Sequence, residues 1–296
     1  MSETAMDAPV VEPLGPLSAD TLQMLEALVE ASGWNQLAHD WRLFERLGSI
    51  HGIRDADGTV IASGAVLPMA RVPTAMPAAR RQPAVSWISM ILVAPAARGR
   101  GLGRAVFAHC LSQVRAQGRT AMLDATALGE PLYTGFGFSP LWRLTRWERA
   151  AVDAPPGAPA GDRPRAEGLA ALDAEALGIA RPEVLADLLA REGSRCVRNG
   201  RGFALVRRGR LAHHIGPLLA ADEATAGALL REAAGGLAGR IFIDVPDCRV
   251  QLAHALREAG FAPQRGFARM ALAPAGASAP AGQPAFIHAI AGPEFG

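Results

Sequence analysis

The amino-acid sequence predicts a mixed α/β protein, with helices packed on a mixed sheet, built as two similar domains in tandem. Three observations carry this. Residues 85–114 read as a strand, a glycine-rich turn and an amphipathic helix. Residues 150–167 (AAVDAPPGAPAGDRPRAE) interrupt the apolar patterning with Pro, Ala, Gly and Asp, the composition of a linker. Gly260 to Arg269 (GFAPQRGFAR) repeats Gly137 to Arg146 (GFSPLWRLTR), so the end of one unit recurs at the end of the next. A length of 296 residues also suits about two domains.

In chain order, Val10 to Leu14 forms a short edge strand weakened by its prolines. Ser18 caps a helix whose stripe is Leu22, Leu25, Leu28 and Val29, ended by Gly33. Asn35 starts a second helix carrying Leu37, Trp41, Phe44 and Leu47. Ser49 to Arg54 and Thr59 to Leu67 are two strands joined by a hairpin turn over Asp55 to Gly58. Residues 69–83 read as a loop rich in Pro, Ala and Arg. Val85 to Ala94 is a buried strand stopped by Pro95, which has no N–H for the ladder. From Gly103 onward, Val106, Phe107, Cys110, Leu111 and Val114 recur at helical spacing. Thr120 to Thr126 is the next strand, followed by a short helix over Leu128 to Gly135.

The turn Arg98, Gly99, Arg100, Gly101, Leu102, Gly103 is the chemical centre of the chain. Bare amides and the positive end of a helix converge there, and glycine lets the backbone approach a phosphate closely. A P-loop would need a lysine, and all thirty basic residues are arginine. A dinucleotide fingerprint would need G-x-G-x-x-G and a following acidic residue, whereas these glycines run G-x-G-x-G. The pattern present is R-x-x-G-x-G, through Arg98, Gly101 and Gly103, preceded by L-V-A-P.

With that strand and helix around it, the motif resembles the acetyl-CoA-binding motif of the GNAT superfamily of N-acyltransferases. The resemblance implies a sheet whose fourth and fifth strands splay to admit the pantetheine arm. Backbone groups of Leu92, Val93 and Ala94 would pair with the pantetheine amides. The diphosphate would lie on the turn from Arg98 and Gly99 through Arg100, Gly101, Leu102 and Gly103 to Arg104. A second GNAT-like signature, L-Y-x-x-x-G-F, ends at Gly137 and Phe138 and holds Tyr133, the only tyrosine. By resemblance, Tyr133 protonates the departing thiolate, which an apolar cleft would otherwise stabilise poorly. Asp124 shares one face of its strand with Met122. Its roles stay open: accepting the amine's proton, directly or through water, holding the acceptor in place, or bonding to neighbouring backbone. The glutamate base of many family members, on the fourth strand, has no counterpart between Val85 and Ala94. His109 reads as core or surface. Trp34, His39 and Asp40 lie on the helical pair that in this fold borders the acceptor.

The second half reads as a degenerate copy. Ile241 to Val245, with Asp244, parallels Met122 to Ala125, with Asp124, and His214 to Ala220 leads into a helix over Ala224 to Ala233. The cofactor turn has become Ala221, Asp222, Glu223, Ala224. Two carboxylates there satisfy the helix dipole and repel a diphosphate. Leu256 stands where Tyr133 would align. The expected division is a catalytic domain over 1–150, a linker over 151–167, a degenerate domain over 168–273, and an Ala/Pro/Gly-rich segment with a tail over 274–296.

A formal charge of +2 with dispersed arginines argues against a nucleic-acid partner. No apolar run approaches the roughly 20 residues of a membrane span, and the acidic start is unlike a signal peptide. Cys110, Cys196 and Cys248 lack metal-ligand or disulfide-framework spacing. The expectation is therefore a cytoplasmic, metal-independent N-acetyltransferase. It would pass an acetyl group from acetyl-CoA to a primary amine of a small-molecule acceptor, in a ternary complex, at one site per chain. The rival reading is a non-catalytic acyl-CoA sensor; a protein acetyltransferase would present an open acidic groove.

Overall fold

The computed structural model describes residues 9–72, 84–153, 167–200, 202–280 and 282–296. Most of the expected linker, and most of the loop before Val85, lie outside these. In the first half β1 (Glu12–Pro13) lies against β2 (Ser49–Arg54), which continues to β3 (Val60–Arg71), β4 (Val85–Val93) and β5 (Thr120–Thr126). Helix α1 (Ala19–Ala31) starts where the Ser18 hydroxyl accepts the Thr21 N–H at 3.1 Å, and it buries Leu25, Leu28 and Val29. Helix α2 (Ala38–Leu47) buries Trp41, Leu43 and Phe44 on the same side. Helix α3 (Leu102–Ala116) covers the other face with Val106, Phe107, Cys110, Leu111 and Val114, all buried as their spacing demands.

Strands β4 and β5 run parallel only from Val85/Thr120 to Trp87/Met122, and then part. The cause lies in β4. Met90 has φ +56° and the register against β3 shifts between Ser63 and Ala65, so β4 bulges and turns away. The Ser63 hydroxyl fixes the bulge by donating to the Met90 carbonyl at 3.0 Å. Gly64 lets α3 close over it, because a Cβ there would come within 2.7 Å of Ile91 and Val106 side-chain carbons.

After α4 (Glu130–Gly135) and β6 (Ser139–Val152), the second half adds α5 (Glu167–Leu177), β7 (Ile179–Ala180), α6 (Pro182–Ala190), β8 (Arg195–Arg198) and β9 (Phe203–Arg207). Then come β10 (His213–Leu219), α7 (Glu223–Ala234), β11 (Gly239–Pro246), α8 (Val250–Glu258), β12 (Phe261–Leu272) and β13 (Ile287–Ala289). The strands join one continuous sheet, ordered β1-β2-β3-β4-β5-β12-β6-β11-β10-β9-β8. The last strands of the two halves are thus exchanged: β12 inserts between β5 and β6, while β6 lies between β12 and β11.

Two reciprocal ion pairs lock this exchange. Arg269 on β12 donates from Nε and Nη2 to the Asp124 oxygens on β5 at 2.9 and 2.8 Å. Arg146 on β6 does the same to Asp244 on β11 at 2.7 and 2.8 Å. All four side chains are buried. Arg269 is sandwiched between the Trp87 and Trp142 rings at 4.7 and 4.4 Å, and Arg146 between Phe242 and Phe267 at 5.0 and 5.4 Å. Bidentate geometry and aromatic faces offset the desolvation of a buried guanidinium.

The second half repeats the splay and fills it. Strands β10 and β11 pair in parallel from His213/Ile241 to Ile215/Ile243. Beyond that point β13 pairs antiparallel with β10, and the Ile290 N–H donates to the Asp244 carbonyl at 3.0 Å. The expected tail is therefore an interior strand. Its continuation buries Phe295 against Phe44, with ring centroids 5.8 Å apart, while the Arg181 Nη1 donates to the Phe295 carbonyl at 2.6 Å.

Candidate active site

The turn after β4 has the conformation its glycines allow. Gly99 and Gly101 take φ +76° and +77°, and Gly101 stands at the N-cap of α3 with no side chain capping it. The first helix-type bond is from the Ala105 N–H to the Gly101 carbonyl, which leaves the amides of Leu102, Gly103 and Arg104 without intrahelical acceptors. No acidic residue occupies the first turn. Nothing lies within 4 Å of where a Cβ would sit on Gly99 or Gly101, so the backbone there is open to a close approach. Such a surface fits a diphosphate. Its counterpart in the second half does not: Asp222 caps α7 by accepting the Thr225 N–H at 2.7 Å, and Glu223 follows in the first turn. Gly101→Val is expected to weaken any binding of a diphosphate ligand at this turn, with acetyl-CoA as the probe, by about tenfold or more, because a branched residue is strained at positive φ. Calorimetric titration of the folded variant checks this.

A cavity of about 590 Å³ lies beside this turn, reaching it only at Arg98, and extends into the molecule. Ile88 to Val93 of β4 and Arg98 line one wall; Leu123, Asp124, Thr126 and the 127–129 turn line the other. Leu92 and Val93 thus border the gap. The Ala94 N–H is already given to the Ile61 carbonyl at 2.8 Å, and the Val93 carbonyl accepts from the Arg98 Nε at 3.2 Å. Of the backbone groups expected to meet pantetheine, the Ala94 amide is therefore engaged within the sheet.

Tyr133 lines the same cavity. It is half-buried on α4, with its ring 4.6 Å from that of Phe107. Gly129 allows the approach, since a Cβ there would stand 3.0 Å from the Tyr133 Cε2. Burial, then the neighbouring Cys110 sulfur, pushes the phenol up to about 12. It stays protonated through the physiological range, as a proton donor must. Asp124 also reaches the cavity, but both its oxygens are held by Arg269. Trp34 lines the cavity, whereas His39 is exposed and Asp40 is committed elsewhere. Asp40 accepts the Leu37 N–H at 2.7 Å and pairs with Arg191 at 2.6 Å. His109 packs against His51, with ring centroids 4.6 Å apart, and does not line the cavity.

The far end of the cavity is built by residues that sequence reasoning passed over. Gln36 comes from the segment before α2, Arg146 from β6, Arg265 to Phe267 from β12, and Pro293 with Glu294 from the tail after β13. The strand exchange places Arg146 and the β12 residues there, and the path of the tail after β13 adds Pro293 and Glu294. Glu294 is buried, accepting from the Arg207 Nη2 at 2.8 Å and from the Gln36 Nε2 at 3.0 Å. Burial raises its carboxyl above the usual glutamate range, with Arg207 opposing. The Trp87 Nε1 donates to the Pro293 carbonyl at 2.9 Å and holds the tail in place. Repetition in the sequence pointed at Arg146 and the β12 segment, but nothing marked Glu294.

Among the described residues no His, Cys, Asp and Glu cluster could hold a metal ion, and no helix is long and apolar enough to cross a membrane. Family models match twice: the acetyltransferase (GNAT) family over residues 21–138, and an acetyltransferase (GNAT) domain over residues 169–280. No curated protein matches the sequence. Among solved structures, a candidate acetyltransferase from Pyrococcus horikoshii is similar at 20% identity and TM-score 0.76, over 98% of this chain and 97% of its own. A GCN5-related N-acetyltransferase from Sphaerobacter thermophilus aligns at 17% identity and TM-score 0.59, over 93% and 99%. A tandem GNAT protein from the clavulanic acid biosynthesis pathway aligns at 16% identity and TM-score 0.53, over 90% and 98%. With one GNAT match in each half and a fold shared along nearly its whole length, the chain belongs to the GNAT acetyltransferase family as two such domains in tandem.

Proposed function

We propose that the protein transfers an acetyl group from acetyl-CoA to a primary amine of a small-molecule acceptor, at one site per chain in the first half. The observation that carries this is a single cavity that starts beside the glycine turn at Arg98, follows the free edge of β4 past Tyr133, and ends against residues of the second half. Acetyl-CoA supplies the activated thioester. The amides from Gly99 to Arg104 hold its diphosphate, and the splay receives its arm. Tyr133 delivers a proton to the sulfur as the amine attacks. The wall that β12 and the tail add at this end supports a small acceptor over a protein surface. Catalysis rests mainly on holding two reactants in line.

Asp124 is assigned here to holding β5 against β12, because Arg269 occupies both of its oxygens. Glu294 is assigned the amine's proton: it lines the cavity, and whereas both Asp124 oxygens are taken by a guanidinium, only one Glu294 oxygen is, the other accepting from the neutral Gln36 amide. Since a base works only when ionised, kcat/KM is expected to fall as pH drops through the Glu294 pKa, above the ordinary glutamate range. Glu294→Gln should lose that acidic limb and about tenfold in rate; a pH–rate profile of both proteins checks this. The activity itself is tested by thiol release from acetyl-CoA across an amine panel. Tight acetyl-CoA binding without turnover on any amine would instead mark a sensor.

A further inference from the structure

We infer that the acceptor is an amine that also carries a carboxylate, and that Arg265 is the residue that selects it. This rests on the cavity being the acetyl-transfer site, and it adds what the enclosed end recognises. Charged side chains lining that cavity are otherwise engaged: Asp124 with Arg269, Arg146 with Asp244, Glu294 with Arg207, and Arg98 through its Nε with the Val93 carbonyl. Arg265 has no carboxylate partner among the described residues. Its guanidinium lies over the Phe267 ring at 5.0 Å, and its Nε is buried without a hydrogen bond.

An uncommitted guanidinium in a half-enclosed cavity is costly unless an anion meets it. Burial, then the nearby Arg146, lowers its pKa to about 10, with Asp244 and Glu294 opposing. It remains a cation at neutral pH, in an environment that a bound anion would relieve. The repeat makes the same point. Arg265 stands where the first half has Trp142, and Trp142 serves to cover the Arg269 guanidinium. At the equivalent place the second half presents a cation to the cavity.

Two more buried groups in the cavity lack partners: the Gln36 Oε1, an acceptor, and the Ser89 hydroxyl. A ligand that satisfies this set needs an anionic acceptor group for Arg265 and N–H donors for Gln36. An amine bearing a carboxylate supplies both, and the planar carboxylate matches the guanidinium fork.

The test uses the full chain with two readouts. Binding to the coenzyme A-loaded protein is measured by calorimetry, and thiol release from acetyl-CoA is followed with the common amino acids, each paired with its carboxamide. The wild type is expected to bind at least one acid about tenfold or more tightly than its amide, and to favour that acid in kcat/KM. Arg265→Gln should erase the preference, lowering kcat/KM for the favoured acid about tenfold relative to its amide. Arg265→Lys should restore it partly. Equal binding of acids and amides, no acid bound at all, or a preference that survives Arg265→Gln would overturn the inference. Acid-selective binding without thiol release would uphold Arg265 and refute acetyl transfer; release with no acid preference would do the reverse.

Discussion

Tyr133→Phe is expected to bind acetyl-CoA as the wild type does and to lose about 10²-fold or more in kcat. The ring packs on Phe107 and over Gly129, and phenylalanine keeps those contacts, so stability should hardly move. What disappears is one O–H with a pKa near 12, facing the place where a thiolate would form. Steady-state kinetics beside a coenzyme titration separates the two effects. Equal losses in binding and rate would mean that Tyr133 shapes the channel instead of serving the chemistry. An unchanged rate would remove it from the mechanism.

Breaking one of the exchanged-strand ion pairs should have the largest effect on stability. Asp124→Leu strands the Arg269 guanidinium, buried between two tryptophans, and is expected to cost about 3–5 kcal/mol. The double variant Asp124→Leu/Arg269→Met removes both charges at similar volume and should recover most of that loss. Chemical denaturation of the single and double variants gives the comparison. The double variant also decides what Asp124 does. If the carboxylate only holds β5 to β12, the recovered protein turns over acetyl-CoA near the wild-type rate. A stable but inactive double variant would make Asp124 the base and displace Glu294.

Much of the first half was legible because its signals are local. An apolar strand stopped by Pro95, glycines at the two positions of positive φ, and a stripe at helical spacing each follow from neighbouring residues. The cofactor turn and Tyr133 could therefore be picked out by spacing. The repeat was equally visible, and it aligned Asp124 with Asp244 and Arg146 with Arg269. Their pairing across halves was not visible, because strand partners far apart in sequence are set by packing of the whole sheet, not by local pattern. Reading Asp124 alone left it between serving the acceptor and bonding to neighbouring backbone; only the exchange of β12 brings Arg269 to it. The tail shows the same limit. Its prolines and small residues resemble a loose end, yet β13 completes a sheet gap and carries Glu294 to the cavity.

The second half keeps the fold while its groups facing the equivalent positions are already engaged. Asp222 takes the helix amides that a diphosphate would need, and β13 fills the gap where a pantetheine arm would run. The filled gap in the second half and part of the cavity wall in the first both follow from the path of the tail from β13 to Glu294.

A structure of the protein with acetyl-CoA bound tests the central claim most directly. One coenzyme per chain is predicted, with its diphosphate on the amides between Gly99 and Arg104 and its thioester between β4 and β5 beside Tyr133. Coenzyme seated at Asp222, or two molecules per chain, would contradict it.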